Sequence, residues 1–384
     1  MPLNDLDFSL LQERVRLASI RDKESIDAQR VLALEIGKGL QPIEPASDNA
    51  IAVVSADGGS TSFSFNPAGI SFIRVADSNG THYATDALPG SVSVGELSKQ
   101  LSRKDQEVVH PALYLCEAMG LELFQLSDIL CNLGKSKGGK RAIHSLREIS
   151  EWGVLLYVLE NQAPQWKTDN VYVFDGLLRS KAFNSGVFAD LSRKIREAAE
   201  NASASSGQKV FVVGVAKTSA VLSKLSLALL LEQTFEKDYP CYASVSRAVE
   251  AEIYNFNSKW LSNDPDDTSP IQETQAMGKM HLVKFGDRAL DPVWPVDVAE
   301  FQLEAVAEAL GMLVADAQLG FPVPDYPMSL QKAHEYAALS GFESQMLREL
   351  FLDGICSTLE TEDDVERMSR YARLRENLAQ RRYE

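Results

Sequence analysis

The sequence predicts a mixed α/β fold, a sheet flanked by helices, on three observations. Short β-branched and aromatic runs recur as buried-strand patterns, and helical apolar periodicities lie between them. The 384 residues, 45% hydrophobic and 24% charged, are ample for a large core. Residues 5–40 read as a helix, with Leu10, Leu11, Val15, Leu17 and Ile20 spaced among charges, until GKGLQPIEPASDN breaks it. The period then changes. IAVVSADGG reads as a strand ending in Asp-Gly-Gly, TSFSFNP alternates, and GISFIRVADSNGTHYATD follows, so a three-strand meander with an Asn79-Gly80 turn is expected. Residues 93–162 read as mostly helical. VYVFDG (171–176), KVFVVGVAK (209–217) and MHLVKFG (280–286) are further strand patterns, with helices expected over 188–201, 219–235 and 299–317. GFPVPDYP imposes a rigid turn before the helix SLQKAHEYAALS, and 361–384 is a charged helix.

The charge balance narrows the function. With 54 Asp and Glu against 38 Lys and Arg, the net charge is −16, which disfavours a protein that coats DNA through a basic stripe. An enzyme handling DNA in a small local channel is compatible with it. The four cysteines (Cys116, Cys131, Cys241, Cys356) form no CxxC pair, which argues against a zinc ribbon or disulfide scaffold and suits a reducing cytoplasm. The N-terminal MPLNDLDFSLLQERVRLAS has no apolar core of a leader, and AVLSKLSLALLL (220–231) is too short to span a bilayer, so a soluble cytoplasmic chain without membrane contact is expected.

Two strand patterns, IAVVSADGG and VYVFDG, each run into Asp-Gly. Asp57 and Asp175 are then carboxylates at strand ends, and if the strands are parallel neighbours the pair suits Mg²⁺ or Mn²⁺. The plain alternative for either is a turn aspartate. His334, behind the proline-fixed turn, and Glu148 or Glu151, three apart on one helix, could complete a ligand set; a surface histidine and a solvated helix face are the ordinary readings. Arg179, Lys181 and Lys217 follow two of the strands and would give positive potential suited to a phosphodiester. GKSKGGKR (134–141) lacks the hydroxyl residue of a P-loop and follows a helix pattern, so it reads as a basic loop. No G-x-S-x-G is present, which argues against serine hydrolase chemistry.

In these pieces and in their order, the sequence resembles the NurA nuclease family. The resemblance runs from about residue 46 to 340: the Asp57 strand, the acidic helix, VYVFDGLLRSKAF, VVGVAKTS, and GFPVPDYPMSLQKAHEYA with His334. It implies an RNase H-like mixed sheet and a Mn²⁺- or Mg²⁺-dependent 5′→3′ exonuclease with endonuclease activity besides. It also implies a homodimer docked on a HerA-type hexameric ATPase in DNA end processing, repair or defence against phage. Residue by residue, it makes Asp57, Asp175 and a helix glutamate metal ligands, His334 a ligand or proton-transfer group, and Arg179, Lys181 and Lys217 substrate-binding. QAPQWKTDN lengthens the link to Asp175, leaving Glu151 preferred over Glu148 and then Glu160. The expected organisation is an N-terminal helical segment (1–45), a nuclease domain (46–340) with a helical insertion over about 87–145, and a C-terminal helical tail (341–384). Two rivals stay open: a scaffold of the same fold that docks an ATPase without cutting, and a nucleotide enzyme using GKSKGGKR.

Overall fold

The computed structural model describes residues 5–46, 52–65, 67–102, 109–133, 139–184, 186–254 and 276–380. In chain order its helices and strands are α1 (Asp5–Lys38), β1 (Gln41–Pro42), β2 (Ala52–Phe65), β3 (Ala68–Asp77), β4 (His82–Pro89), α2 (Val94–Leu101), α3 (Pro111–Met119), α4 (Leu123–Leu126), α5 (Gly139–Tyr157), β5 (Asn170–Asp175) and α6 (Val187–Ser206). They continue as β6 (Val210–Val215), α7 (Ala220–Leu231), β7 (Cys241–Ser244), α8 (Arg247–Tyr254), β8 (Gly278–Lys284), β9 (Val293–Ala299), α9 (Val306–Gln318), α10 (Met328–Ala337), α11 (Gly341–Cys356) and α12 (Glu362–Gln380). The mixed α/β class is the one observed. An antiparallel meander, then helices, then two parallel strands each followed by a helix is also the element order of an RNase H-like chain. The chain forms two units: Met1–Val54, Gln165–Ser180 and Phe188–Gln331 make the first, and Ser55–Pro164, Lys181–Val187 and Lys332–Glu384 the second.

In the first unit the strands run in the order β1-β7-β8-β9-β6-β5, with β5 and β6 parallel and the other pairs antiparallel. Strands covered on both faces should be apolar throughout, and β6 (VFVVGV) is buried at every position, β5 at every position before Asp175. Alternation sorts the side chains onto two faces. Val171, Val173, Val213, Val296 and Val298 pack with Leu310, Leu313 and Val314 of α9, whereas Ala243, Met280 and Leu282 pack with Val221 and Leu225 of α7 and Ala33 and Ile36 of α1.

In the second unit β2, β3 and β4 form the expected meander, and Gly80 at φ +83° supplies its tight turn while Asp77 accepts from the backbone N–H groups of Asn79 and Thr81. One expectation is corrected. The first strand does not end at Asp57 but runs unbroken to Phe65, in register with β3 from Ala56↔Asp77 to Phe65↔Ala68. The Gly58-Gly59 pair looks like a turn in sequence, yet it lies mid-strand. Its use is close approach: a Cβ at Gly58 would lie 2.5 Å from both Arg147 Cγ and Glu151 Oε1, and one at Gly59 would lie 2.1 Å from the Ala337 carbonyl oxygen. Successive Cβ positions face opposite sides of a strand, so α5 and α10 reach β2 from its two faces. α5 is buried along most of its length, and Gly153 lets the Pro111 carbonyl come to 2.2 Å of where a Cβ would stand, seating α3 on it. Capping boxes start α2 (Ser93, Glu96) and α11 (Ser340, Glu343). Residues 134–138 of the basic loop, and the polar stretch SNDPDDTSP at 262–270, lie outside the described residues.

Candidate functional site

The second unit brings three of the expected residues to one stretch of β2. Asp57 is buried, at 4% exposure. Its Oδ1 accepts from the Gly58 N–H at 2.6 Å, and its Oδ2 lies 2.6 Å from Nδ1 of His334. The imidazole itself is 58% exposed, so a buried carboxylate orients a ring open to solvent. Such a pairing fixes which ring nitrogen faces the acid. On the other face, Glu151 of α5 reaches Gly58 and pairs with Arg147 one helical turn earlier, Nε to Oε1 3.3 Å. Glu148 is half-buried on the same helix. Glu160 lies on a wider π turn (Val158–Gln162), where it accepts from the Tyr114 hydroxyl. Glu151 is placed against β2 at Gly58.

Asp175, Arg179 and Lys217 belong to the first unit. Asp175 ends β5, where the Tyr326 hydroxyl donates to its Oδ1 at 3.1 Å and to the Val215 carbonyl at 3.3 Å. Tyr326 comes from GFPVPDYP and is fully buried, with its ring centroid 5.0 Å from that of Trp294 and the Lys217 ammonium 5.5 Å above its face. Gln331 ties this turn down, donating to the Val323 and Tyr326 carbonyls and accepting from the Val323 N–H. Arg179 is buried rather than presented to solvent. Asp297 accepts from its Nε and Nη2 at 2.9 and 2.7 Å, and Glu250 accepts from its Nη1 at 3.0 Å. Lys181, in the second unit, is exposed, and burial together with Arg141 lowers its ammonium pKa.

Sequence reasoning missed Tyr326 and Arg147. Arg147 had a readable signal, since it stands four residues before Glu151 on a helix; a phenol in a proline-rich turn had none.

As the side chains lie, no three His, Cys, Asp or Glu among the described residues are gathered closely enough to hold a metal ion. The donor types nevertheless suit a hard divalent cation, since buried carboxylate oxygens with one imidazole nitrogen are the chemistry of Mn²⁺ or Mg²⁺ sites, while the space above Gly58 is taken by the Arg147 stem and Glu151 Oε1.

No protein-family model and no curated protein matches the sequence. Among solved structures, the chain is similar to the NurA nuclease from Sulfolobus solfataricus, at 12% identity and a TM-score of 0.45, over 94% of this chain and 99% of that one. It is also similar to NurA with manganese, at 11% and 0.40 over 91% and 99%. A third likeness is to NurA bound to dAMP and manganese, at 10% and 0.36 over 94% and 99%. These three are nucleases of the family that the sequence motifs resemble. Among the described residues no helix is long and apolar enough to cross a membrane.

Proposed function

We propose that the chain is a metal-dependent deoxyribonuclease, a phosphodiester hydrolase working as a 5′→3′ exonuclease with endonuclease activity besides. The observation that carries this reading is the buried Asp57 carboxylate held between a backbone N–H and the solvent-exposed His334. Asp57, Glu151, Asp175 and His334 are the groups proposed to hold Mn²⁺ or Mg²⁺. When bound, such a cation activates water and stabilises the departing oxygen of an in-line displacement.

The rest is done by the chain's own residues. Asp57 fixes the His334 ring through Nδ1, and the imidazole is proposed to take or deliver a proton at the reacting phosphate. Tyr326 holds the Asp175 carboxylate through Oδ1 and carries Lys217 over its ring. Lys217 and Lys181 are proposed to hold the scissile strand. Arg179, assigned above to substrate, fixes the backbone after Asp175 through its two carboxylate partners.

In cells this activity would serve DNA end processing, repair or defence against phage in the cytoplasm. The partner proposed is a HerA-type hexameric ATPase docked by a homodimer, whose grip on duplex DNA would offset the chain's charge of −16. A second reading, a scaffold that docks the ATPase without cutting, is favoured by the Arg147 ion pair, which sets a positive charge beside Glu151.

End-labelled linear DNA incubated with Mn²⁺, Mg²⁺ or EDTA separates the two. Metal-dependent cutting by the wild type, lost in Asp57→Asn, is the result expected of the nuclease. A wild type that stays silent even with the ATPase added is the result expected of the scaffold.

A further inference from the structure

We infer that Arg147 is a phosphate-binding residue that also acts as the resident counter-ion of Glu151, so that it couples cation binding to DNA binding; this rests on the nuclease reading above. Three observations meet at this side chain. Its stem lies across Gly58, where a Cβ would come to 2.5 Å of Cγ and 2.9 Å of Cδ. Its Nε lies 3.3 Å from Glu151 Oε1. The two partners also differ in access: the Glu151 side chain is 7% exposed and that of Arg147 33%.

A carboxylate this buried needs a positive neighbour. Arg147 supplies one through Nε, and guanidinium has four further N–H donors on its terminal nitrogens, in a fork that matches two phosphate oxygens. A divalent cation reaching Glu151 finds a positive charge already beside the same oxygen, and the two repel. A phosphodiester that engages the guanidinium relieves that repulsion and brings its own negative charge to the cation. Cation and DNA therefore favour each other's binding, and linkage requires the coupling to be equal in both directions. Without DNA the arginine holds the acidic site in a neutralised form, and the cation binds weakly.

The sign of one substitution tests this. Arg147→Met keeps the stem over Gly58 and removes the charge. Free Mn²⁺ is followed by its paramagnetic resonance signal during titration into the full-length chain, with and without a phosphorothioate duplex that resists cutting. In the wild type the duplex should tighten Mn²⁺ binding roughly tenfold. Arg147→Met should bind Mn²⁺ alone several-fold tighter than wild type, lose the tightening by DNA, and show a raised KM for DNA. Arg147→Lys should keep part of the coupling. A merely structural arginine would give weaker Mn²⁺ binding on removal, together with a lowered melting temperature. Unchanged or weaker Mn²⁺ binding by Arg147→Met, beside a wild type that binds Mn²⁺ and cuts, overturns the inference and leaves the nuclease reading standing. If Arg147→Met does not fold, Arg147→Gln carries the same test. A wild type that neither binds Mn²⁺ nor cuts overturns the nuclease reading and this inference together.

Discussion

In the first unit Arg179 is sealed among carboxylates: its side chain and those of Asp297 and Glu250 are all almost wholly buried, and every partner is a protein group. Lys284 is treated the same way, fully buried with its ammonium donating to the carbonyls of Lys237, Gly286 and Arg288. In the second unit Asp57 and Glu151 are nearly as buried, but their basic partners, His334 and Arg147, are open to water. A buried carboxylate must be compensated in either place. Where the compensating group is enclosed, the pair can only hold the fold. Where it is accessible, the pair can exchange its partner for a ligand.

The comparison is broken most sharply by activity. Asp57→Asn and Asp175→Asn should each lower cleavage of linear DNA by roughly a hundredfold or more, with melting temperatures near wild type. If both variants cut normally, the open pair is as structural as the sealed one. His334→Ala should follow, losing about 10²–10⁴ in rate, and because it takes the partner from the buried Asp57 carboxylate it should also cost about 1–3 kcal/mol of stability.

Arg179→Met should do the reverse. Leaving Asp297 and Glu250 buried without their cation should cost about 3–5 kcal/mol, read as a large fall in denaturant midpoint. Equal stability of this variant and wild type would remove the distinction between sealed and open pairs.

Smaller effects sharpen it through pH. His281, buried in the first unit with Nδ1 3.0 Å from the Lys279 carbonyl oxygen, has its pKa pushed down to about 4, chiefly by burial. Between its ordinary value of 6.5 and about 4 the unfolded chain binds the proton and the folded chain does not. Stability therefore falls as pH drops through that window, by about 1.4 kcal/mol per unit from this residue. His281→Gln should flatten the acid limb of the stability curve by that slope, measured by urea unfolding at pH 7, 6 and 5. In the second unit the Arg74 guanidinium, 2.7 Å from Glu343, is the largest cause holding that carboxyl down at about 2. Its contribution is present above the ordinary value of 4.5 and is lost as pH falls toward 2. Because the carboxylate is partly exposed, Arg74→Met should cost only about 0.2–1 kcal/mol at neutral pH, and the difference should vanish in acid.

Much of this was legible in the sequence, and the misses have physical causes. Apolar runs of strand length gave β5 and β6 in place, because a doubly covered strand has to be apolar at nearly every position. Asp57 lies in the strand expected of it, but mid-strand rather than at its end. Glycine pairs mark both turns and close backbone contacts, and only the helices against β2 decide which. Arg179 read as a substrate-binding charge, and its burial was not legible because its partners, Asp297 and Glu250, are 118 and 71 residues away in the chain. Tyr326 carried no signal, since a phenol that supports a carboxylate has the same sequence neighbourhood as one that fills a core.

Gly58 and Gly59 make β2 a bare ribbon at the point where it is gripped from both sides. Every amino acid that can replace a glycine adds at least one carbon, so at Gly59 even alanine is a wedge driven toward the Ala337 carbonyl, in the helix that carries His334. The spacing between acid and imidazole is thus set by an absence of matter and can be altered by a single codon change. That gives a lineage a one-step path from a chain with a working dyad to a folded chain without one, and it gives an experimenter the same path in the form of a methyl group.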